Sequence, residues 1–111
     1  MALAPPPDRR LDLRVNGNSR GVVVAPDIEI ACSIVDVSHG GLRIRLDRSL
    51  ALPRTVVVVD VAQAVAHEVE VVWRKTPEAG LKRLSQAGLR GLVPSRLTAA
   101  RDAWLRAGGR P

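Results

Sequence analysis

Short segments in which apolar and polar residues alternate recur along this chain of 111 residues. In the clearest one, apolar residues occupy every second position from Ile28 to Ile34, with Glu29 and Ser33 among the residues between them. Successive side chains of a β-strand point to opposite faces of a sheet, so a period of two predicts a strand with one apolar face. The sequence is therefore dominated by a strand signal.

Further strand signals follow at similar intervals. Alternation is present over residues 11–15, 42–46 and 68–73, and residues 21–25 form a short apolar run bounded by the turn residues Pro26 and Asp27. The valine run over residues 55–61 is short enough to be a strand buried on both faces. Residues 79–84 are consistent with a short sixth strand. Five or six evenly spaced strands predict an all-β barrel or sandwich.

The last part of the chain changes to a helical period. Ser95 is a candidate N-cap, and Gly108 and Gly109 are candidate terminators. Apolar residues recur at helical spacing between them, namely Leu97, Ala100, Ala103, Trp104 and Ala107. This pattern predicts one amphipathic helix of about three turns.

The chain length indicates one domain with a single core. No segment approaches the roughly 18 uninterrupted apolar residues of a membrane span, and the first ten residues lack the order of a secretory signal. Cys32 is the only cysteine, so the chain cannot form an intramolecular disulfide. Because Cys32 is in phase with Ile30 and Ile34, we expect it to be a small residue of the core. We expect a cytoplasmic protein in which residues 1–8, with their proline run, form a disordered arm.

The net charge of +6 comes from fifteen arginines and two lysines against eleven acidic residues. This balance leaves RNA or DNA binding open, but the chain has no Phe or Tyr on which bases could stack. Trp73 and Trp104 both lie on apolar stripes, so we expect both in the core. Specific nucleic-acid binding is therefore disfavoured.

An enzyme is also disfavoured. His39 and His67 have no partner at metal-ligand spacing, and no phosphate-binding glycine motif is present. Asp36, Ser38 and His39 supply the residue types of a catalytic triad. Near neighbours on an extended chain do not converge as a triad requires. We expect no catalysis and no metal.

Two short motifs interrupt the strand pattern and need a separate explanation. The segment "DVSHGG" contains Asp36, Ser38, Gly40 and Gly41 between two strands, and each has a local interpretation as a turn residue, the glycines by adopting positive φ. Upstream, "RRLDLR" carries Arg10 and Arg14 four residues apart, after Arg9; locally this is a solvated charge cluster.

In this order, Arg-x-x-x-Arg and Asp-x-Ser-x-x-Gly resemble the PilZ domain, a bacterial receptor module for cyclic di-GMP. The resemblance covers residues 9–84, followed by a carboxy-terminal loop and helix over residues 85–111. It implies a six-stranded barrel with a flanking helix. It also implies a ligand-binding set made of Arg9, Arg10, Arg14, Asp36, Ser38, Gly40 and Gly41.

The roles of these residues follow from the resemblance and from the chemistry of guanine. Arg10 and Arg14 would bind phosphate and the O6 and N7 acceptors of the base, and Arg9 would add a further contact. Asp36 and Ser38 would accept from the donor edge of the base, and Gly41 would keep the hairpin slim so that the base can approach the backbone.

The sequence therefore predicts a noncatalytic cyclic di-GMP receptor that orders its arginine arm on binding and signals to an effector protein. Two alternatives remain: a PilZ-like adaptor that binds protein without nucleotide, and a basic barrel that binds RNA or DNA. Insertion into a membrane is not expected.

Overall fold

Residues 19–111, which the computed structural model describes, form a closed barrel of six antiparallel strands with a short helix at the end. The order of the strands around the barrel is β1-β2-β3-β6-β5-β4. Their bounds are β1 Ser19–Ala25, β2 Ile28–Val37, β3 Gly41–Leu46, β4 Thr55–Asp60, β5 Val65–Lys75 and β6 Glu78–Gly88. The predicted six-stranded barrel is confirmed.

The sixth strand is longer than the sequence indicated. Residues 79–84 suggested a short strand, whereas β6 has 11 residues, Glu78–Gly88. It pairs with β3 along one edge and with β5 along the other, and this double pairing closes the barrel. A closed barrel leaves no unpaired sheet edge.

The alternating apolar residues fill the barrel interior. Ile30, Cys32 and Ile34 of β2 are buried, and they pack with the alternating apolar residues of β3 and with Val58 of β4. Cys32 is thus confirmed as a small core residue. Burial, with a smaller contribution from nearby carboxylates, raises the pKa of its thiol to about 12.

A second apolar cluster lies outside the barrel, under the helix. Val22, Val24 and Val59 are buried from that side, whereas Val23 and Val58 are buried from the interior. Because the helix covers the outer face of β1 and β4, the valine run of β4 is largely buried on both sides, as its composition predicted.

The helix begins later than Ser95. Residues Ser95–Leu97 form a 3₁₀ turn, and helix α1 spans Thr98–Arg106 with Leu97 in the N-cap position. Ser95 is therefore not the N-cap, and no side chain caps either segment. The chain makes one tighter turn first, which places Leu97 in the second cluster.

The end of α1 agrees with the predicted glycine terminators. Gly108 has a φ of 106°, which a residue without a Cβ adopts most readily. The Gly108 N–H donates to the Leu105 carbonyl and the Gly109 N–H to the Trp104 carbonyl, the pattern of a Schellman motif. Trp104 is fully buried, as expected, and its Nε1–H donates to the Val61 carbonyl at 3.1 Å.

Candidate functional site

A bulge in β2 decides where Asp36 points. Ile34 pairs with Ile44 of β3, but the next pair joins Asp36 to Arg43, so Val35 is an extra residue. Simple alternation from the buried Ile34 would turn Asp36 inward. The bulge instead places it in phase with Arg43, whose side chain is exposed, and Asp36 lies on the outer surface.

A second bulge acts in the same way on β5. Val71 pairs with Leu81 and Trp73 with Gly80, which leaves Val72 as the extra residue. Trp73 was expected in the core with Val71, and that prediction is wrong: Trp73 is 44% exposed. Its indole lies directly over Gly80, where a Cβ would overlap the ring.

Asp36 and Trp73, the two residues that face outward after these bulges, border one open depression of about 390 Å³. The motif turn between β2 and β3 forms one side, and residues of β5 and β6 form the other. The polar and aromatic groups along it come from Asp36, Ser38, Gly40, Gly41, Arg43, Trp73 and Lys82. The structure therefore brings together the four motif residues of this turn.

The sequence pattern did not identify Trp73 and Lys82 as members of this site. Trp73 was assigned to the interior because the bulge at Val72 is not encoded in the period of its own strand. Lys82 becomes relevant only through its pairing with Gly41 across β3 and β6.

The two glycines of the turn have different surroundings. A Cβ on Gly41 would overlap the carbonyl oxygen of Leu81 on β6, whereas a Cβ on Gly40 would meet nothing within 4 Å. Neither glycine is among the residues with positive φ, contrary to the local interpretation of this turn. Close strand packing is thus sufficient to require glycine at position 41, and Gly40 faces open space.

Hydrogen bonds within the turn also involve Ser38. Its N–H donates to the Gly41 carbonyl at 2.9 Å, and its hydroxyl is 3.4 Å from the same oxygen. The second bond is long, so the hydroxyl loses little if it turns toward another partner.

The charges around the depression are mixed. Asp36 pairs in register with Arg43, and Lys82 lines the same depression. Arg43 lies 3.6 Å from Glu78 in an exposed ion pair. Such a surface offers a carboxylate acceptor beside cationic groups, which suits a ligand that has both hydrogen-bond donors and anionic oxygens.

The arginine motif lies outside the described residues, so Arg9, Arg10 and Arg14 have no structural description here. The described residues do show where the preceding chain enters. Ser19, the first residue of β1, pairs with Ile34 of β2, two residues before Asp36. The chain therefore joins the barrel beside the bulge that turns Asp36 outward.

A larger groove, of about 590 Å³, lies between the barrel and α1. Its lining is chiefly apolar, and the Arg96 guanidinium at its edge is paired with Glu68 at 3.1 Å. None of the motif residues Asp36, Ser38, Gly40 and Gly41 lines this groove. Within residues 19–111 there is neither a group of side chains arranged to hold a metal nor a helix long and apolar enough to span a membrane.

The closed barrel thus places an acid, a hydroxyl and an exposed indole around one depression. Comparison with protein-family models matches residues 8–98 to the PilZ domain. The chain belongs to the PilZ family, whose members are receptor domains for cyclic di-GMP rather than enzymes. Searches of curated proteins and of solved structures found no significant match.

Proposed function

We propose that this protein is a cyclic di-GMP receptor, with the dinucleotide bound over the depression beside Asp36, Ser38 and Trp73. Arg9, Arg10 and Arg14 complete the site from the chain that precedes β1. The observation that carries the proposal is the pair of bulges. They turn Asp36 and Trp73 outward from two different strands so that both border the same depression.

The chemistry of guanine matches these groups. Its N1–H and N2–H₂ are donors on one edge, and a carboxylate at Asp36 can accept from both, with the Ser38 hydroxyl as a neighbouring acceptor. The exposed indole of Trp73 offers a flat face on which a base can stack. The O6 and N7 acceptors on the other edge suit the two-pronged guanidinium of an arginine.

The chain geometry supports the assignment of Arg14 to the same site. Arg14 lies five positions before Ser19, and an extended chain covers at most about 18 Å over that distance. Because Ser19 lies beside the end of β2 that carries Asp36, a ligand over the depression is within reach of Arg14 and its side chain.

Signalling would follow from ordering of the arginine segment. In this proposal the ligand holds residues 9–14 against the barrel and so creates a surface that an effector protein recognises. Hydrogen exchange tests this step: residues 9–14 should gain protection with cyclic di-GMP, while Val56–Val59 of β4 should not change. Equal protection with and without ligand would contradict ordering by the ligand.

Titration calorimetry with cyclic di-GMP tests binding itself. The wild-type protein should bind with a dissociation constant of tens of micromolar or tighter, about −6 kcal/mol or better. Asp36→Ala and Arg14→Ala should each weaken binding. Arg106→Ala, which removes an exposed ion pair with Glu29 far from the depression, serves as the control.

If the wild-type protein produces no binding heat at tens of micromolar ligand, the receptor proposal fails. The adaptor, which binds protein but not nucleotide, then becomes the better explanation. Losses in Asp36→Ala and Arg14→Ala that do not exceed the change in the Arg106→Ala control would instead remove these residues from the site.

A further inference from the structure

Two polar residues, the buried His67 and the partly buried Arg83, occupy interior-facing positions at one end of the barrel, where the alternating pattern predicts apolar residues. Arg83 follows Ala79 and Leu81 at two-residue intervals, and it pairs in register with the buried Val69. His67 precedes Val69 by two residues on β5 and is only 6% exposed. Both side chains are therefore in the interior phase.

The contacts of Arg83 explain this placement. Its Nη1 donates to the carbonyl of Ser38 at 3.0 Å and to that of His39 at 2.6 Å, and its backbone N–H donates to that of Gly40 at 2.9 Å. One residue thus binds three consecutive carbonyls of the motif turn. The Nε of the same side chain donates to Nδ1 of His67 at 3.3 Å.

We propose that Arg83 is the positioning residue of the ligand site. It holds the backbone of residues 38–40 in the arrangement that presents Asp36 and Ser38, and neutral His67 in turn holds Arg83. This inference rests on the proposed cyclic di-GMP function and concerns how the same site is kept in its binding geometry and regulated.

The guanidinium is suited to this task because its donors point in fixed, different directions from one plane. Nη1 donates to the carbonyls of the turn while Nε donates to the imidazole of His67. A lysine ammonium at position 83 would have three donors, but all of them on one nitrogen, so it would not reproduce the separate contacts that Nε and Nη1 of Arg83 make. The three carbonyls belong to the turn and not to a ligand, so Arg83 acts through the turn.

His67 makes the arrangement sensitive to pH. Its Nδ1 accepts from Arg83, so the imidazole is neutral and carries its proton on Nε2. Burial lowers the pKa of His67 below its ordinary value of 6.5, and the nearby Arg83 lowers it further, while Asp60 acts in the opposite direction. His67, Arg83, Asp60 and Asp36 all line one cavity of about 300 Å³.

Protonation of His67 would remove the lone pair that accepts from Arg83 and place two cations side by side. Neutral His67 is the form that accepts from Arg83, so this hydrogen bond is fully present above pH 6.5. The bond is lost as the pH falls through the lowered pKa of His67. Ligand affinity should fall with it.

Calorimetry on the full chain at pH 7.5 is the first test. Arg83→Met keeps the aliphatic stem and removes every side-chain donor, and we expect about tenfold weaker binding of cyclic di-GMP or worse. Arg83→Lys should recover only part of this loss. Arg106→Met is the matched control, because Arg106 is an exposed arginine of α1 that pairs with Glu29 near the start of β2, far from the motif turn. Thermal unfolding of each variant checks the fold.

The second test compares affinity at pH 7.5 and pH 5.5. His67→Asn keeps an oxygen acceptor near the Nδ1 position but cannot be protonated there. The wild-type protein should lose affinity at pH 5.5, and His67→Asn should show a clearly smaller loss. His39→Asn is the matched control and should keep the wild-type loss, because the hydrogen bond from Arg83 to His39 is made to the backbone carbonyl of His39, which the substitution retains.

The outcomes separate the two proposals. If the wild-type protein does not bind cyclic di-GMP at pH 7.5, the proposed function fails and the role of Arg83 fails with it. If it binds and Arg83→Met matches Arg106→Met, only the positioning role is overturned. If Arg83→Met does not fold, the pH comparison decides: equal losses in the wild type and His67→Asn overturn the inference.

Discussion

The two glycines of the motif turn should respond in opposite ways to substitution by alanine. A Cβ at position 41 would overlap the Leu81 carbonyl oxygen of β6, which is backbone and cannot rotate away. A Cβ at position 40 would meet no atom within 4 Å. A methyl group at position 41 therefore perturbs the sheet, whereas a methyl group at position 40 changes only the surface of the depression.

The expected magnitudes follow from these distances. Gly41→Ala forces β3 and β6 apart beside the pair formed by Gly41 and Lys82, and overpacking of this kind costs roughly 1–3 kcal/mol. For a domain of this size, each kcal/mol lowers the Tm by roughly 4–8 °C. Gly40→Ala should change the stability by no more than about 0.5 kcal/mol.

Thermal unfolding followed by circular dichroism measures the stability of both variants, and calorimetry with cyclic di-GMP measures their affinity for the ligand. Gly41→Ala should unfold at least about 4 °C below the wild-type protein. Gly40→Ala should keep the wild-type Tm but bind the ligand more weakly, because its methyl group projects into the depression. A Gly41→Ala variant with an unchanged Tm and impaired binding would refute this reasoning, since glycine would then be required for the approach of the ligand.

Three further outcomes are expected. Trp73→Ala should weaken cyclic di-GMP binding about tenfold, because stacking of a base on an aromatic side chain contributes roughly 1–3 kcal/mol; unchanged affinity in calorimetry would exclude stacking on this indole. Cyclic di-AMP should bind at least about tenfold more weakly than cyclic di-GMP, and Asp36→Ala should narrow that gap; an unchanged ratio of the two affinities would limit Asp36 to a role in its own turn. Trp104→Phe should lower the free energy of unfolding, measured by urea denaturation, by about 1–3 kcal/mol, because the partly buried Val61 carbonyl loses the Trp104 donor; wild-type stability would show that this bond contributes little.

The sequence by itself determined the features that depend on local geometry. Alternation along β2 and β3 marks which residues face the barrel interior, since successive side chains of a strand point to opposite sides. The glycines after α1 mark its end, because a positive φ such as that of Gly108 is costly for residues with a Cβ. The order of the two motifs was also sufficient to indicate the family to which the chain belongs.

Tertiary structure alone decided which side chains border the depression. Asp36 and Trp73 face outward because each follows a bulge, and a bulge is defined by the pairing with a neighbouring strand rather than by the period of its own strand. The same holds for Arg83: the sequence places an arginine in phase with Leu81, but only closure of the barrel brings it to His67 and to the turn between β2 and β3. These contacts join residues about 16 to 45 positions apart, and no local pattern encodes which strands will meet.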